Sequence, residues 1–176
     1  MRKRYNYFSV LPLRSGHCNG TPLQLTSESN RLASSTILST CSADVRHQLR
    51  ITADRGQRLN ISLWSFNSEH RQSYATVRDD VTGNVAEAVP LASQNHVMTT
   101  VANTATLDIR PIQTDHSYII DIAVLGCKEI VSPEGAWMTR DDDVIEIGCH
   151  TGSKTWSLRC VDNQWAGVLG QCGVGN

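Results

Sequence analysis

The chain has 176 residues and a formal net charge of −1. Near-balanced charge argues against a nucleic-acid-binding surface, which is normally strongly basic, and no apolar run is long enough to span a bilayer. Aromatic residues make up only 6% of the chain, whereas Thr, Ser and Val are plentiful. This composition favours β-structure over helix, and the length predicts one or two domains.

The first 17 residues combine a basic start, Met1–Arg4, with a short apolar run, Phe8–Leu13. This order is similar to a secretory signal peptide, but Pro12 interrupts the apolar run and no small-residue cleavage site follows. We therefore expect residues 1–17 to be a leader or a misannotated N-terminus that is not part of the fold. An extracellular location has to be inferred from the cysteines instead.

Short alternating segments separated by polar turns dominate the next hundred or so residues, from Cys18 to Leu125. Apolar side chains alternate in Gln48–Ala53 and again in Arg58–Phe66, on either side of a turn at Gly56, which predicts a strand, a tight turn and a second strand. Further strands are expected in four segments: Tyr74–Arg78, Val97–Val101, Ala105–Ile109 and Tyr118–Val124. Short strands at this spacing predict an all-β fold with an antiparallel β-sandwich.

Four features of this region carry a resemblance to a known family. Cys18 and Cys41 flank a serine-rich segment, and the strands 49–51 and 59–63 are expected to form a pair joined through Gly56. Phe66-Asn-Ser-Glu69 follows the second strand, and the closing strand 118–125 runs directly into Gly126. Together they resemble a CUB or CUB-like domain over residues 18–125. The resemblance implies a jelly-roll sandwich and a Cys18–Cys41 disulfide. The family's second cysteine pair is absent, so more of the stability must come from the two packed sheets.

Many CUB domains bind calcium through three loop carboxylates, a ligand type that suits a hard cation. Glu69 matches the first of these positions, but the aspartate expected directly after Tyr74 is replaced by alanine. Asp79, Asp80 and Asp115 are further candidates, although two adjacent acids after a strand are more often a solvated turn. Calcium therefore stays a weak candidate ligand, and the sequence assigns no metal site and no other cofactor.

Four of the six cysteines lie in the last part of the chain, at Cys127, Cys149, Cys160 and Cys172. A segment this short cannot bury enough apolar surface to be stable alone, so cross-links must help. Two disulfides in an oxidising compartment are the first interpretation, with the pairing left open by the sequence itself. A zinc site is the alternative, but such sites usually show Cys-x-x-Cys pairs, and no two cysteines here are that close.

The spacing in this last part carries a second resemblance. Pro133 and Gly135 follow the first of the four cysteines, an alternating strand occupies Val144–Cys149, and Trp165 lies between the third and fourth cysteines. This pattern resembles a sushi (complement control protein) module over residues 127–174.

The sushi resemblance implies the disulfides Cys127–Cys160 and Cys149–Cys172, with Trp165 as the main core aromatic between them. Two features depart from the family pattern. The interval between the second and third cysteines is short, and Ile147 stands where the family often has an aromatic residue. Both departures concern loop details more than the fold.

Two Asn-x-Ser/Thr sequons, at Asn60 and Asn19, are candidate N-glycosylation sites. Asn60 lies between Leu59 and Ile61 on an alternating strand, so its side chain is expected to point away from the core. Pro22 directly follows the threonine of the Asn19 sequon and disfavours glycan transfer there.

We find no catalytic constellation in the sequence. None of the six histidines forms a pair with metal-ligand spacing, and no nucleophile elbow, phosphate loop or dinucleotide fingerprint is present. Oxidised cysteines would not supply a thiolate nucleophile. Trp64 and Trp156 are candidate exposed anchors for a partner, although a half-buried strand position is the commoner explanation for such residues.

The sequence thus predicts a non-catalytic, extracellular glycoprotein segment, either secreted or part of an ectodomain. We expect it to bind extracellular or cell-surface proteins or glycans and not nucleic acid, and we expect no membrane span in this chain. The candidate contact regions are the loops after Phe66 and after Arg78, and the stretch 137–143. The alternative is the regulatory CUB–sushi arm of a complement-type extracellular serine protease, with the catalytic domain in a longer chain.

Overall fold

The computed structural model describes residues 9–18, 21–25, 29–41, 46–66, 75–87, 96–109 and 117–172. The chain divides into two compact units. The first contains residues 1–54 and 58–125, and the second contains residues 55–57 and 126–176. Each unit has its own β-sheets and its own core, so the predicted all-β fold class is confirmed. The division after Leu125 lies where the sequence ends the first domain.

Ten strands and two short helices make up the described part of the first unit. The strands are β1 (Ser9–Val10), β2 (Leu23–Gln24), β3 (Ser29–Ala33), β4 (His47–Thr52), β5 (Arg58–Phe66), β6 (Ala75–Asp79), β7 (Val85–Glu87), β8 (His96–Thr99), β9 (Thr104–Ile109) and β10 (Ser117–Leu125). The helices are α1 (Ser15–Cys18) and α2 (Ser34–Thr40).

These strands form two five-stranded sheets, ordered β1-β3-β10-β5-β8 and β2-β4-β9-β6-β7. Pairing is antiparallel except at one edge of each sheet, where β1 joins β3 and β2 joins β4 in parallel. The long strand β10 occupies the centre of the first sheet, between β3 and β5. β9 occupies the centre of the second sheet, between β4 and β6.

Strict alternation in the sequence sets which face of each sheet is buried. In β5, Leu59, Ile61 and Leu63 are buried, and in β10 Ile120 and Ile122 are buried. These side chains join buried residues of the other sheet in one apolar cluster, so the two sheets form a sandwich. The predicted strands in this region are all present, each within a few residues of its expected bounds.

The turn at Gly56 does not form a hairpin between the two strands that it joins. β4 pairs with β2 and β9, whereas β5 pairs with β10 and β8 in the other sheet. The prediction that these two strands form a pair is therefore wrong. Each strand has aliphatic residues at alternating positions, and placing the strands in opposite sheets lets both sets enter the same core.

The first unit also begins earlier than the sequence predicts. Val10 is in parallel register with Arg31, and the N–H of Leu11 donates to the Arg31 carbonyl oxygen at 3.1 Å. Leu11 is 2% exposed and belongs to the sandwich core. The prediction that everything before Cys18 lies outside the fold is therefore wrong for residues 9–17, since β1 pairs with β3 and burial of Leu11 adds apolar contacts to the core.

The second unit is a single antiparallel sheet. Its strands, β11 (Ala136–Asp141), β12 (Val144–Cys149), β13 (Thr155–Val161) and β14 (Gln164–Ala166), pair in chain order. Asp162 and Asn163 both have positive φ, at 50° and 62°, in the two-residue connection between β13 and β14. This is the backbone of a type I′ hairpin turn, which tolerates Asp and Asn at these positions.

Candidate functional site

Three disulfides use all six cysteines of the chain. They join Cys18 to Cys41 in the first unit, and Cys127 to Cys160 and Cys149 to Cys172 in the second. These are the pairs that the two resemblances imply. Because every thiol is oxidised, the chain has neither a thiolate nucleophile nor the four-cysteine zinc site that the sequence left as an alternative.

The core of the second unit is small and aliphatic at its centre. Its buried members are one alanine, two isoleucines and one leucine: Ala136, Ile145, Ile147 and Leu158. Trp165 packs against this core, opposite Cys160 in register. Trp165 is half-buried, and Trp156, which is also half-buried, packs against the same core. Two tryptophans therefore serve as core aromatics, and Trp165 is one of them.

Arg140 holds three parts of the second unit together. Its Nε donates to the carbonyl oxygen of Asp142 at 2.9 Å, and its Nη2 donates to that of Gly56 at 2.8 Å. The guanidinium lies 5.0 Å from the Trp165 ring centroid, a cation–π distance. The Trp165 Nε1–H in turn donates to the Lys128 carbonyl oxygen at 2.8 Å. This set of bonds fixes the turn 55–57 against the sheet within the unit.

The outward face of the same sheet carries an exposed tryptophan. Trp137 on β11 is directly opposite Gly148 on β12, and Gly148 is opposite Thr155 on β13. A Cβ added at Gly148 would stand only 2.3–2.7 Å from three atoms of the indole, so the ring occupies the space that a side chain at this position would fill. Trp137 is 37% exposed. It is the first residue of the stretch 137–143 that the sequence singled out for contact.

Asp79, a calcium candidate from the sequence, organises the loop after β6. Its Oδ1 accepts from the backbone N–H groups of Val81 (2.8 Å) and Thr82 (3.0 Å), and its Oδ2 accepts from that of Val101 (2.7 Å). Burial alone would raise the pKa of Asp79, but these backbone hydrogen bonds outweigh it and lower the pKa below its ordinary 3.8. Its ligand capacity is therefore used within the protein.

The neighbouring candidate is engaged in the same way. Asp80 Oδ1 accepts from Thr106 Oγ1 at 2.6 Å, and Asp80 Oδ2 lies 3.4 Å from Arg50 Nε. Glu69 and Asp115 lie outside the described residues, as does the loop after Phe66. Within the part of the chain that the structure describes, no group of three or more His, Cys, Asp or Glu is arranged to hold a metal ion.

Asn60 points outward from β5, as the alternation predicts. Leu59 and Ile61 on either side are buried, whereas Asn60 is half-buried and its Oδ1 accepts from Thr99 Oγ1 at 3.5 Å. Ser62 of the same sequon lies on the same face. The position is compatible with a glycan. The second candidate, Asn19, lies outside the described residues.

The other two tryptophans that the sequence singled out differ in setting. Trp64 is 39% exposed on the outward face of β5, opposite Ile119. Trp156 is half-buried, and its indole packs on Gly170, where a Cβ would stand 1.9 Å from the ring. The exposed-anchor interpretation therefore fits Trp64 and does not fit Trp156. Trp137 was missed as an anchor in its own right, because its exposure depends on the glycine opposite.

Comparison with known proteins adds no relative: no protein-family model and no curated protein matches this chain. No helix among the described residues has both the length and the apolar character needed to cross a membrane.

Proposed function

We propose that this chain is a non-catalytic extracellular recognition segment, in which a CUB-like sandwich precedes a sushi-like module. It binds protein or glycan partners at the cell surface or in the extracellular space through exposed β-surfaces and turns. The observation that carries the proposal is the complete use of six cysteines in three disulfides. Such a pattern is typical of secreted domains and rare in the reducing cytosol.

The second unit supports the sushi part of the proposal. Its first cysteine joins the third and its second joins the fourth, within one small antiparallel sheet, and a half-buried tryptophan lies opposite the third cysteine. The first unit supports the CUB part through the two packed sheets that its described strands form and its single disulfide near the start of the fold. Rigid β-scaffolds of this kind suit binding, since their turns and sheet faces are held in place.

The test is to direct the chain through the secretory pathway of cultured mammalian cells with a heterologous signal peptide. Peptide mapping under non-reducing conditions should find the three disulfides, with no free thiol. The purified protein, labelled with a fluorophore, should bind intact cells or extracellular matrix saturably. A matched sample that has been reduced and alkylated is the control and should lose this binding.

Two results would contradict the proposal. Six free thiols in the secreted material would remove its structural basis. A correctly disulfide-bonded protein that binds no cell type and no matrix in a broad panel would remove the recognition role.

A further inference from the structure

The outward face of the second unit's sheet has an unusual combination of residues. Register places three rows of three residues side by side on this side of β11, β12 and β13, and the row at the Asp141 end consists of Asp141, Val144 and Arg159. The other two rows carry the tryptophan and its polar neighbours. We call these six residues the Trp137 face: Trp137, Gly148 and Thr155 in one row, and Thr139, Glu146 and Ser157 in the other. Their side chains share one side of the sheet, because residues two apart on a strand point the same way.

One flat aromatic ring is the only large apolar group among these six residues. One side of the Trp137 indole covers Gly148, which is buried beneath it, and the ring keeps 37% of its surface exposed. Contact with the glycine backbone restricts the indole before any ligand arrives. An immobilised ring loses less side-chain entropy on binding than a mobile one.

Hydrogen-bonding groups lie beside this ring in the same two rows of the sheet. Thr139, Glu146, Thr155 and Ser157 are all exposed. Neighbours across the strands are separated by about 5 Å and neighbours along a strand by about 7 Å. The indole therefore has three hydroxyl groups and one carboxylate within roughly 10 Å, the scale of these two spacings combined.

The setting of Trp64 shows that this combination is not a general property of the exposed tryptophans. Trp64 is exposed to nearly the same extent, 39%, but its neighbours on the sheet are mixed: Ile119 lies opposite it, and the exposed Val97 lies two residues away in register, beside Ser62 and Asp121. An aromatic with aliphatic side chains next to it suits a protein partner, whereas an aromatic with no other large apolar side chain in its two rows suits a ligand with one small apolar face.

We propose that the Trp137 face binds carbohydrate, and specifically neutral sugars. The C–H face of a pyranose ring matches the area and flatness of the exposed indole. The equatorial hydroxyls at the edge of the sugar reach the hydroxyl groups of the rows and the Glu146 carboxylate, which accepts hydrogen bonds. Glu146 and, in the next row of this side of the sheet, Asp141 outnumber the single guanidinium of Arg159, so the net negative charge disfavours sulfated and sialylated glycans and selects neutral ones. This proposal rests on the proposed function, since it names the partner class for that recognition segment.

The test uses the secreted full chain on an array of neutral oligosaccharides ending in glucose, galactose, mannose or N-acetylglucosamine, with sulfated and sialylated oligosaccharides alongside. Binding to at least one neutral class is expected, with little to the acidic ones. Titration of a bound neutral oligosaccharide should shift the NMR signal of the Trp137 indole N–H, and leave that of Trp64 in place.

Three variants test separately what the indole, the glycine beneath it and the carboxylate contribute to binding. Trp137→Ala should weaken binding at least about tenfold, as expected for removal of a central aromatic contact. Gly148→Ala should have a similar effect while keeping the ring, because the new Cβ displaces the indole from its seat. Glu146→Gln should raise binding to acidic glycans relative to neutral ones. Trp64→Ala, the matched control, should leave binding unchanged.

Non-reducing peptide mapping of each variant shows whether its disulfides have formed, so a folding failure is not mistaken for lost binding. Binding confined to acidic glycans, or neutral-glycan binding that survives Trp137→Ala, would overturn the proposal. A secreted, disulfide-bonded protein that binds cells equally well with and without Trp137 would also overturn it, and would leave the proposed function standing.

Discussion

The two units of this chain reach a stable β-fold by different means. Among the residues that the structure describes, the first has a core cluster of 20 buried residues, and it has one disulfide. The second has 4 buried residues in the core cluster of its described part, and two disulfides. Burying one large aliphatic side chain contributes roughly 1.5–3 kcal/mol. The second unit therefore lacks the apolar burial that would offset the conformational entropy lost on folding, and the first does not.

This difference also determines how well each unit tolerates substitutions that remove a contact. Removing one contact from the first unit takes away a small fraction of its apolar burial, because many other side chains of the sandwich stay buried. Removing one contact from the second unit takes away a larger fraction. A surface used for binding is then easier to vary on the first unit, whereas in the second unit the sheet that presents Trp137 depends on its cross-links.

The largest effect is expected from a pair of matched disulfide deletions. Cys18–Cys41 and Cys149–Cys172 both close a sequence separation of 23 residues. In the chain-entropy model each contributes about 3–4 kcal/mol. Replacing Cys149 and Cys172 with alanine should unfold the second unit, whereas replacing Cys18 and Cys41 should lower the stability of the first unit and leave it folded.

Hydrogen exchange followed by mass spectrometry reports on each unit separately. In the second-unit deletion, amides of β12 and β13 should exchange at unfolded rates while amides of β9 and β10 stay protected. In the first-unit deletion, β9 and β10 should exchange faster than in the wild type but remain well protected. Equal partial loss of protection in both variants would show that the second unit stays folded without this disulfide. The two units would then not differ in how much they depend on their disulfides.

Local alternation was sufficient to predict most strands of the first unit from the sequence. Leu49 and Ile51 in β4, and Ile120 and Ile122 in β10, alternate with outward residues and are buried as expected. The disulfide partners followed from cysteine order through the two resemblances. These features depend on neighbours along the chain or on a spacing pattern, both of which are visible without a structure.

The features that were missed depend on contacts between distant residues. Ser9–Val10 becomes a strand only because β3 offers it a free edge. Helix α2 lies in a Ser- and Thr-rich segment with weak helical propensity, and its Ile37 is buried in the sandwich core. For the candidate site, the exposed ring of Trp137 depends on Gly148, which is glycine in the one position that the register places beneath the indole.

A smaller effect is expected at Asp79, a non-covalent counterpart in the first unit to the second unit's cross-links. Its two carboxylate oxygens join the loop after β6 to Val101, through three backbone hydrogen bonds. Asp79→Asn keeps one acceptor oxygen and replaces the other with an NH₂ group. That NH₂ group then faces at least one of the backbone N–H donors and cannot accept from it. The free energy of unfolding in urea at pH 7 should fall by about 2 kcal/mol.

The pH dependence identifies the group responsible. Because the pKa of Asp79 is lowered in the folded state below its ordinary 3.8, its contribution is fully present above that pH and is lost as the pH falls through the lowered value. The stability difference between wild type and Asp79→Asn should therefore narrow below pH 3.8. Asp80→Asn is the control, because it removes the neighbouring carboxylate charge and leaves the three backbone hydrogen bonds of Asp79 in place. A difference that stays constant down to acidic pH would show that the carboxylate charge is not what stabilises the loop.

The smallest effect is expected at the ion pair on the outer face of the first sheet. Arg31 on β3 donates from Nε and Nη2 to the two oxygens of Asp121 on β10, at 2.6 and 2.9 Å. The Arg31 side chain is 38% exposed, so solvent and salt screen the pair. Arg31→Ala should lower the free energy of unfolding by about 1 kcal/mol or less, and less in 1 M than in 0.1 M salt, which bracket roughly 3 Å and 10 Å screening lengths. A loss well above that, unchanged by salt, would mean that the first unit depends on this single polar contact. A sandwich stabilised by distributed apolar burial should be little affected by one ion pair that solvent reaches on its Arg31 side, although Asp121 is only 12% exposed.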